Sequence, residues 1–351
     1  MSNTDQPYRQ LPATGEMGEH VLPNSEVAGV VDEAFAERTQ ARLAVIEDAL
    51  LEAAVADTPM VTEAAQQYIA AGGKRFRPLL VVLASHFGSG EVDESDLTRA
   101  ALVVELTHVA SLYHDDVMDD ADLRRGMPSA NRRWDNIVTI LVGDFLFARA
   151  SDTVADLGTD FVRLQARTFA RLVQGQIAET VGPADGADPL QHYLKVMADK
   201  TGSLIAASTV FGGMVAGAPA GTLKALEDFG EEIGLVFQLS DDIIDITSTS
   251  TGKTPGTDLR EGVLTLPTLL ALRSDDPADA RLHELIRTTD LDDAGVAEAL
   301  ELLRGHPALE EARAEVARRA EVARGMLAPL PEGPAKDALA ALCDQVVTRS
   351  N

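Results

Sequence analysis

Two segments of one form, Asp115-Asp116-Val117-Met118-Asp119 and Asp241-Asp242-Ile243-Ile244-Asp245, lie inside apolar, helix-like stretches where carboxylates are costly. Residues four apart share a helix face. Asp115 with Asp119, and Asp241 with Asp245, therefore form same-face pairs, with Asp116 and Asp242 on the flank. Like charges so placed repel unless a cation lies between them, and an unpaired buried carboxylate is strongly unfavourable. One such cluster in so acidic a chain is explained equally well as a solvated helix face or an N-cap. Two of identical spacing, flanked by the apolar residues 102–112 and 233–239, favour a metal site. No cysteine lies nearby and no histidine pair has the i, i+4 ligand spacing, so the donors are hard oxygens, which suit magnesium better than zinc or iron. Magnesium held by one or two carboxylates takes its other ligands from phosphate and water. The substrate expected is a phosphate or diphosphate ester.

A diphosphate site also needs cations. Gly72-Gly73-Lys74-Arg75-Phe76-Arg77-Pro78 places three of them in four residues, behind two glycines that allow close backbone approach. Arg124-Arg125 follows the first aspartate segment closely enough to face the same cavity; taken alone, surface pairing with Asp120 and Asp122 is the simpler reading. His108 stands seven residues before Asp115, two helical turns along the same face. A lone histidine there is more often a satisfied structural residue than a ligand.

The elements that must position these groups are helices. Hydrophobic residues make up 45% of the 351 residues and aromatics 4%, with no sustained alternation of apolar and polar residues, which reads as an all-α chain. Residues 1–35 lack apolar periodicity and read as a disordered tail. Residues 36–351 read as a single helical domain, with breaks at Gly72-Gly73, Gly88-Ser89-Gly90, Gly126-Met127-Pro128 and residues 181–189, none long enough to mark a second domain. Residues 248–262, rich in Thr and Gly, read as a mobile loop after the second aspartate segment, and residues 267–351 as amphipathic helices packed on the outside. The apolar residues 203–218 are short and contain three glycines, so they fit a buried helix better than a membrane span. A formal net charge of −26 repels nucleic acid. Cys343 is the only cysteine, so no intrachain disulfide can form, and with no signal-peptide pattern at the start a cytoplasmic location is expected.

Over residues 40–345 the chain resembles the trans-isoprenyl diphosphate synthases, or polyprenyl synthetases. The resemblance is carried by Gly-Gly-Lys-Arg-Phe-Arg-Pro at 72–78, DDxxDxxxxRR at 115–125, Lys200-Thr201-Gly202, and Phe237-Gln238 leading into the DDxxD at 241–245. It implies a single large helical bundle around a deep central cavity, a homodimer, and head-to-tail condensation of an allylic diphosphate with isopentenyl diphosphate. It further implies three magnesium ions, held by Asp115, Asp119 and Asp241 with Asp116, Asp242 and Asp245 in support. Arg124, Lys200, Thr201, Gln238 and Lys253 look like the allylic diphosphate's partners, Lys200 with a catalytic part as well. Lys74, Arg77, His108 and Arg125 resemble the isopentenyl diphosphate site. The chain departs from many relatives after Glu261-Gly262, where Val263 replaces a lysine and leaves Lys253 as the only lysine of the lid.

In family members with short products a bulky aromatic four or five residues before the first aspartate blocks the cavity. Here those positions are Ser111 and Ala110, with Thr107, Val104 and Val103 below, so an open tunnel and a product of about C30 to C50, such as a quinone side-chain precursor, are expected. Close helix packing at Ala110 and Ser111 is the competing explanation, and a C20 product the alternative. A non-catalytic regulatory subunit would typically lose an aspartate motif, and a terpene cyclase would not need a second set of cations; both motifs and both sets are present.

Overall fold

The computed structural model describes residues 32–247, 255–288 and 291–349. Asp32 opens it: its carboxylate accepts the Ala34 amide at 3.2 Å and caps helix α1 (Glu33–Ala53). The helical domain thus begins three residues before the expected boundary at 36, because the cap lies ahead of the first apolar repeat. Residues 1–31, most of the expected tail, lie outside the described residues.

Helices follow in the predicted succession: α2 (Pro59–Ala70), α3 (Phe76–Ala84), α4 (Glu94–Met118), α5 (Ala130–Trp134), α6 (Asn136–Ala155), α7 (Thr159–Val181) and α8 (Pro189–Met197). A π-helical turn, Ala198–Gly202, then runs into α9 (Ser203–Val215) and the long α10 (Ala220–Thr247). After α11 (Thr257–Arg260) and α12 (Leu266–Ala271) come α13 (Ala280–Arg287), α14 (Asp293–Gly305), α15 (Pro307–Met326) and α16 (Pro334–Arg349). The all-α expectation holds, with one small exception among the described residues. Leu123–Arg124 (β1) and Met127–Pro128 (β2) pair antiparallel across Arg125 and Gly126, whose φ values of 53° and 75° match a two-residue type I′ turn.

The first aspartate motif ends α4 and the second ends α10. Ten of the 13 residues of α9 are buried, and this helix packs against both motif helices. Buried residues fall on every face of α4, as expected for a helix enclosed all round. Its closest neighbour is α6, where Gly143 permits contact: a Cβ there would lie 2.4 Å from His114 Nε2 and 3.2 Å from the Ala110 carbonyl oxygen.

Two expectations change. Of the loop foreseen at 248–262, residues 248–254 lie outside the described residues, but Thr257–Arg260 is helical, because Asp245 accepts the Thr257 and Asp258 amides at 3.2 and 3.3 Å and caps α11. The C-terminal part is not all peripheral, since every residue of α12 is buried beneath the second motif. Among the described residues no helix is long and apolar enough to cross a membrane.

Candidate active site

Asp115, half-buried on the last turn of α4, and Asp119, the exposed C-cap residue, remain on one side because the Asp119 amide donates to the Asp115 carbonyl at 2.8 Å. Burial pushes Asp115 up to about 6, with Lys200 opposing and Asp119 adding to the rise. Asp119 is raised too, first by burial and with Lys200 and Arg124 opposing. In the second motif Asp241 pairs with Arg349 of α16 at 2.6 Å, Asp245 caps α11, and the fully enclosed Asp242 is pushed by burial up to about 7.

Lys200 and Thr201 sit on the π-helical turn, a local distortion common at functional sites. Helix α7 crosses it at Gly175, where a Cβ would lie 2.6 Å from the Lys200 amide nitrogen. That close approach puts Glu179, one turn further on, 2.6 Å from Lys200 Nζ. Thr201 Oγ1 donates to Gln238 Oε1 at 3.3 Å. Glu261, beyond α11, is raised by burial and by repulsion from Asp119 of one motif and Asp245 of the other, while Arg124 and Lys200 attract it. The Glu261 carboxylate therefore lies within electrostatic reach of both motifs.

The cations of the Gly-Gly-Lys-Arg-Phe-Arg-Pro segment divide by role. Arg75, in the left-handed region at φ 45°, is buried between Glu47 and Glu105 at 2.5 and 3.0 Å and ties α1 to α4. Lys74 lies over the Phe237 ring at 5.6 Å. Arg77 Nε is buried without a hydrogen-bond partner among the described residues, and burial pushes this guanidinium down to about 10, with Glu105 opposing and Arg125 adding to the fall.

Arg124 and Arg125 do not pair with Asp120 and Asp122. Arg132 takes both of those, at 3.1 and 2.7 Å. The I′ turn carries Arg125 toward α2 instead, where its Nη1 donates to the Tyr68 carbonyl at 2.5 Å and to the Gly72 carbonyl, packing against Gly73. Arg124 donates to Asp116 at 2.8 Å. His108 is held well below its usual range by burial, then by Arg77, Arg125, Arg75 and Arg124. The four guanidiniums thus act together against the charged form of this imidazole. Of the expected group Lys74, Arg77, His108 and Arg125, the last three lie within electrostatic reach of one another, whereas Lys74 is placed at the Phe237 ring.

Glu179, Glu261 and Arg349 were not singled out from the sequence. Glu179 had a signal in Gly175, since a glycine inside a helix costs about 1 kcal/mol and marks close approach; the other two had none. Lys253 lies outside the described residues. Ala110 is fully buried with its carbonyl at Gly143, so the close-packing explanation applies to it, whereas Ser111 is half-buried and donates to the His108 carbonyl at 2.8 Å. Below Ser111 a small void is lined by Val103, Val104, Thr107, Thr168, Leu204 and Phe211.

The residues fit magnesium by their chemistry. All candidate donors are carboxylates, and the raised, mutually repelling Asp115 and Asp119 would be relieved by a cation. Among the described residues no three His, Cys, Asp or Glu side chains are grouped to hold an ion.

Residues 58–303 match the polyprenyl synthetase family. The chain belongs to that family. It is accordingly a trans-prenyltransferase, of the class that joins an allylic diphosphate to isopentenyl diphosphate. This polyprenyl synthetase is 48% identical over 332 residues to nonaprenyl diphosphate synthase of Mycobacterium tuberculosis, covering 93% of this chain and 98% of the relative. Its fold is similar to geranylgeranyl pyrophosphate synthase of Corynebacterium glutamicum complexed with calcium and isoprenyl diphosphate, with TM-score 0.82, 44% identity, and 91% and 98% of the two chains covered. Decaprenyl diphosphate synthase of Rhodobacter capsulatus superposes with TM-score 0.82 at 33% identity, over 94% and 100% of the chains.

Proposed function

We propose that the enzyme elongates an allylic diphosphate with isopentenyl diphosphate to a long all-trans polyprenyl diphosphate of about C30 to C50, a reading supported by the small Ser111 side chain one turn before Asp115. The observation that supports this reading is the division of the two adjacent arginines: Arg124 bonds Asp116 of the first aspartate motif, whereas Arg125 bonds the Tyr68 and Gly72 carbonyls beside the glycine-rich segment. They mark two sites, each of which accepts one diphosphate.

In the first, Asp115, Asp119 and Asp241 would hold three magnesium ions, which when bound supply the positive charge that draws off the leaving diphosphate. Lys200 and Arg124 add fixed cations beside it, and Thr201 and Gln238 line its edge. In the second, Lys74, Arg77, Arg125 and His108 orient isopentenyl diphosphate so that its double bond faces the allylic carbon. The allylic C–O bond breaks, the double bond attacks the cation, and the departing diphosphate accepts the proton lost. Phe76 stacks on Phe237 at 5.2 Å and supplies aromatic surface beside Lys74.

Two features bear on product and assembly. Ser111 leaves the wall small; the nonaprenyl and decaprenyl names of two relatives favour length, while the geranylgeranyl name of another keeps C20 as the second reading. Helices α6 and α7 expose apolar stripes, Ile137 with Ile140 and Leu141, and Val173 with Ile177 and Val181 at i, i+4, i+8, which suit a homodimer interface. Magnesium, farnesyl diphosphate and labelled isopentenyl diphosphate, followed by chain-length analysis, test the reading. Label in products of C30 or longer is expected, and no incorporation would overturn it.

A further inference from the structure

Asp116 and Asp242 are the most enclosed carboxylates of the two motifs, 0% and 3% exposed. Their surroundings are built the same way twice. At Asp116, Oδ2 accepts the Tyr68 hydroxyl and the Ala130 amide at 3.0 Å, and Oδ1 accepts Arg124 Nε at 2.8 Å. At Asp242, Oδ2 accepts the Tyr193 hydroxyl and the Leu266 amide at 3.4 Å, and Oδ1 accepts Gln238 Nε2 at 3.4 Å. Each tyrosine comes from the helix two before its motif helix, α2 before α4 and α8 before α10. Each amide belongs to the first residue of a short helix that follows the motif, α5 or α12.

A carboxylate whose two oxygens already receive three donors has little left for a cation. It can, however, fix the roll of its helix, since successive side chains project about 100° apart around an α-helix. Pinning the second aspartate therefore sets the direction of the first and of the fifth. We propose that Tyr68 and Tyr193 are positioning residues, each clamping the middle aspartate of its motif as a pivot so that Asp115 with Asp119, and Asp241, are presented to one shared space. This rests on the reading of those carboxylates as a magnesium clamp.

The two clamps are not equal. Arg124 adds a charge-assisted bond to the first, whereas the second has only the neutral amide of Gln238, so Asp242 depends more on its tyrosine. Both tyrosines have pKa values pushed up, by burial first and then by the aspartate each bonds, so the phenols remain neutral donors.

The test uses the full-length enzyme and its Tyr193→Phe and Tyr68→Phe variants, with folding checked by circular dichroism. Manganese binding in the presence of inorganic pyrophosphate is followed by electron paramagnetic resonance. Tyr193→Phe is expected to weaken manganese affinity about tenfold and Tyr68→Phe less, as for groups that orient metal ligands. In turnover, the KM for magnesium should rise while that for isopentenyl diphosphate stays within about twofold, since the arginine cluster is untouched. Wild-type affinity in both folded variants would overturn the positioning role and leave the magnesium clamp standing. Failure of the wild type itself to bind manganese with pyrophosphate would overturn both.

Discussion

Arg349 Nη2 lies 2.6 Å from Asp241 Oδ1, so the last turn of α16 neutralises the first carboxylate of the second motif, 108 residues away in sequence. The same guanidinium rests over Phe237 at 4.9 Å, the ring that also carries Lys74. A cation bound at Asp241 competes with this pair. Both partners are partly exposed, so the ion pair contributes about 1 kcal/mol or less. Arg349→Ala is therefore expected to raise manganese affinity of the substrate-free enzyme roughly two- to fivefold. Isothermal titration checks it, and weaker binding in the variant would show that Arg349 supports the site.

Asp115→Ala should lower kcat by about a thousandfold or more, because charge stabilisation at the leaving diphosphate depends on this carboxylate. The fold should survive. Burial and Asp119 already raise Asp115, so removing its charge relieves repulsion, and the thermal midpoint without magnesium should stay the same or rise. Steady-state kinetics and a thermal melt decide together; near-wild-type turnover would sink the metal role.

The parts of this site that the sequence makes legible depend on short spacings. An i, i+4 carboxylate pair, two adjacent arginines and a lysine–threonine step are local patterns. Glu179, Glu261 and Arg349 are single charges in a chain with 56 acidic residues, and their roles arise from helix crossings and a chain end brought in from far away. The division between Arg75 and Arg77 was likewise hidden, since Glu47 and Glu105 lie 28 and 30 residues from Arg75. The helical class followed from composition. The early start of α1 and the folding of α11 did not, because each hinges on one aspartate accepting the amides at a helix start.

His108 gives the pH dependence. Its folded-state value is depressed while the unfolded chain's stays near 6.5, so below pH 6.5 the unfolded state binds a proton that the native state refuses. Stability should therefore fall as pH drops from about 7 toward 5, by up to about 1.4 kcal/mol per unit from this group. Urea midpoints should show a smaller fall for His108→Gln. A diphosphate bound among the arginines offsets their field, so isopentenyl diphosphate should protect the wild type more at pH 5 than at pH 7. Equal pH slopes in wild type and variant would contradict this.

Product length can be probed at Ser111, half-buried one turn below Asp115 and above the void bounded by Thr107 and Phe211. Phenylalanine at this position enters the path about 6 Å below the aspartate, at 1.5 Å of rise per residue. Each isoprene unit adds four main-chain carbons, a reach of about 4–5 Å judged by the bond lengths of an extended chain. Ser111→Phe should therefore stop elongation several units early, while the manganese affinity of the carboxylates stays within about twofold because Asp115 and Asp119 are unmoved. Ala110→Phe is the weaker probe, since Ala110 is enclosed against α6 and a larger side chain there overpacks the helix contact, typically by 1–3 kcal/mol. Chromatography of dephosphorylated products compares the three proteins. An unchanged product from a folded Ser111→Phe enzyme would mean that the growing chain leaves the site along a path that does not follow α4.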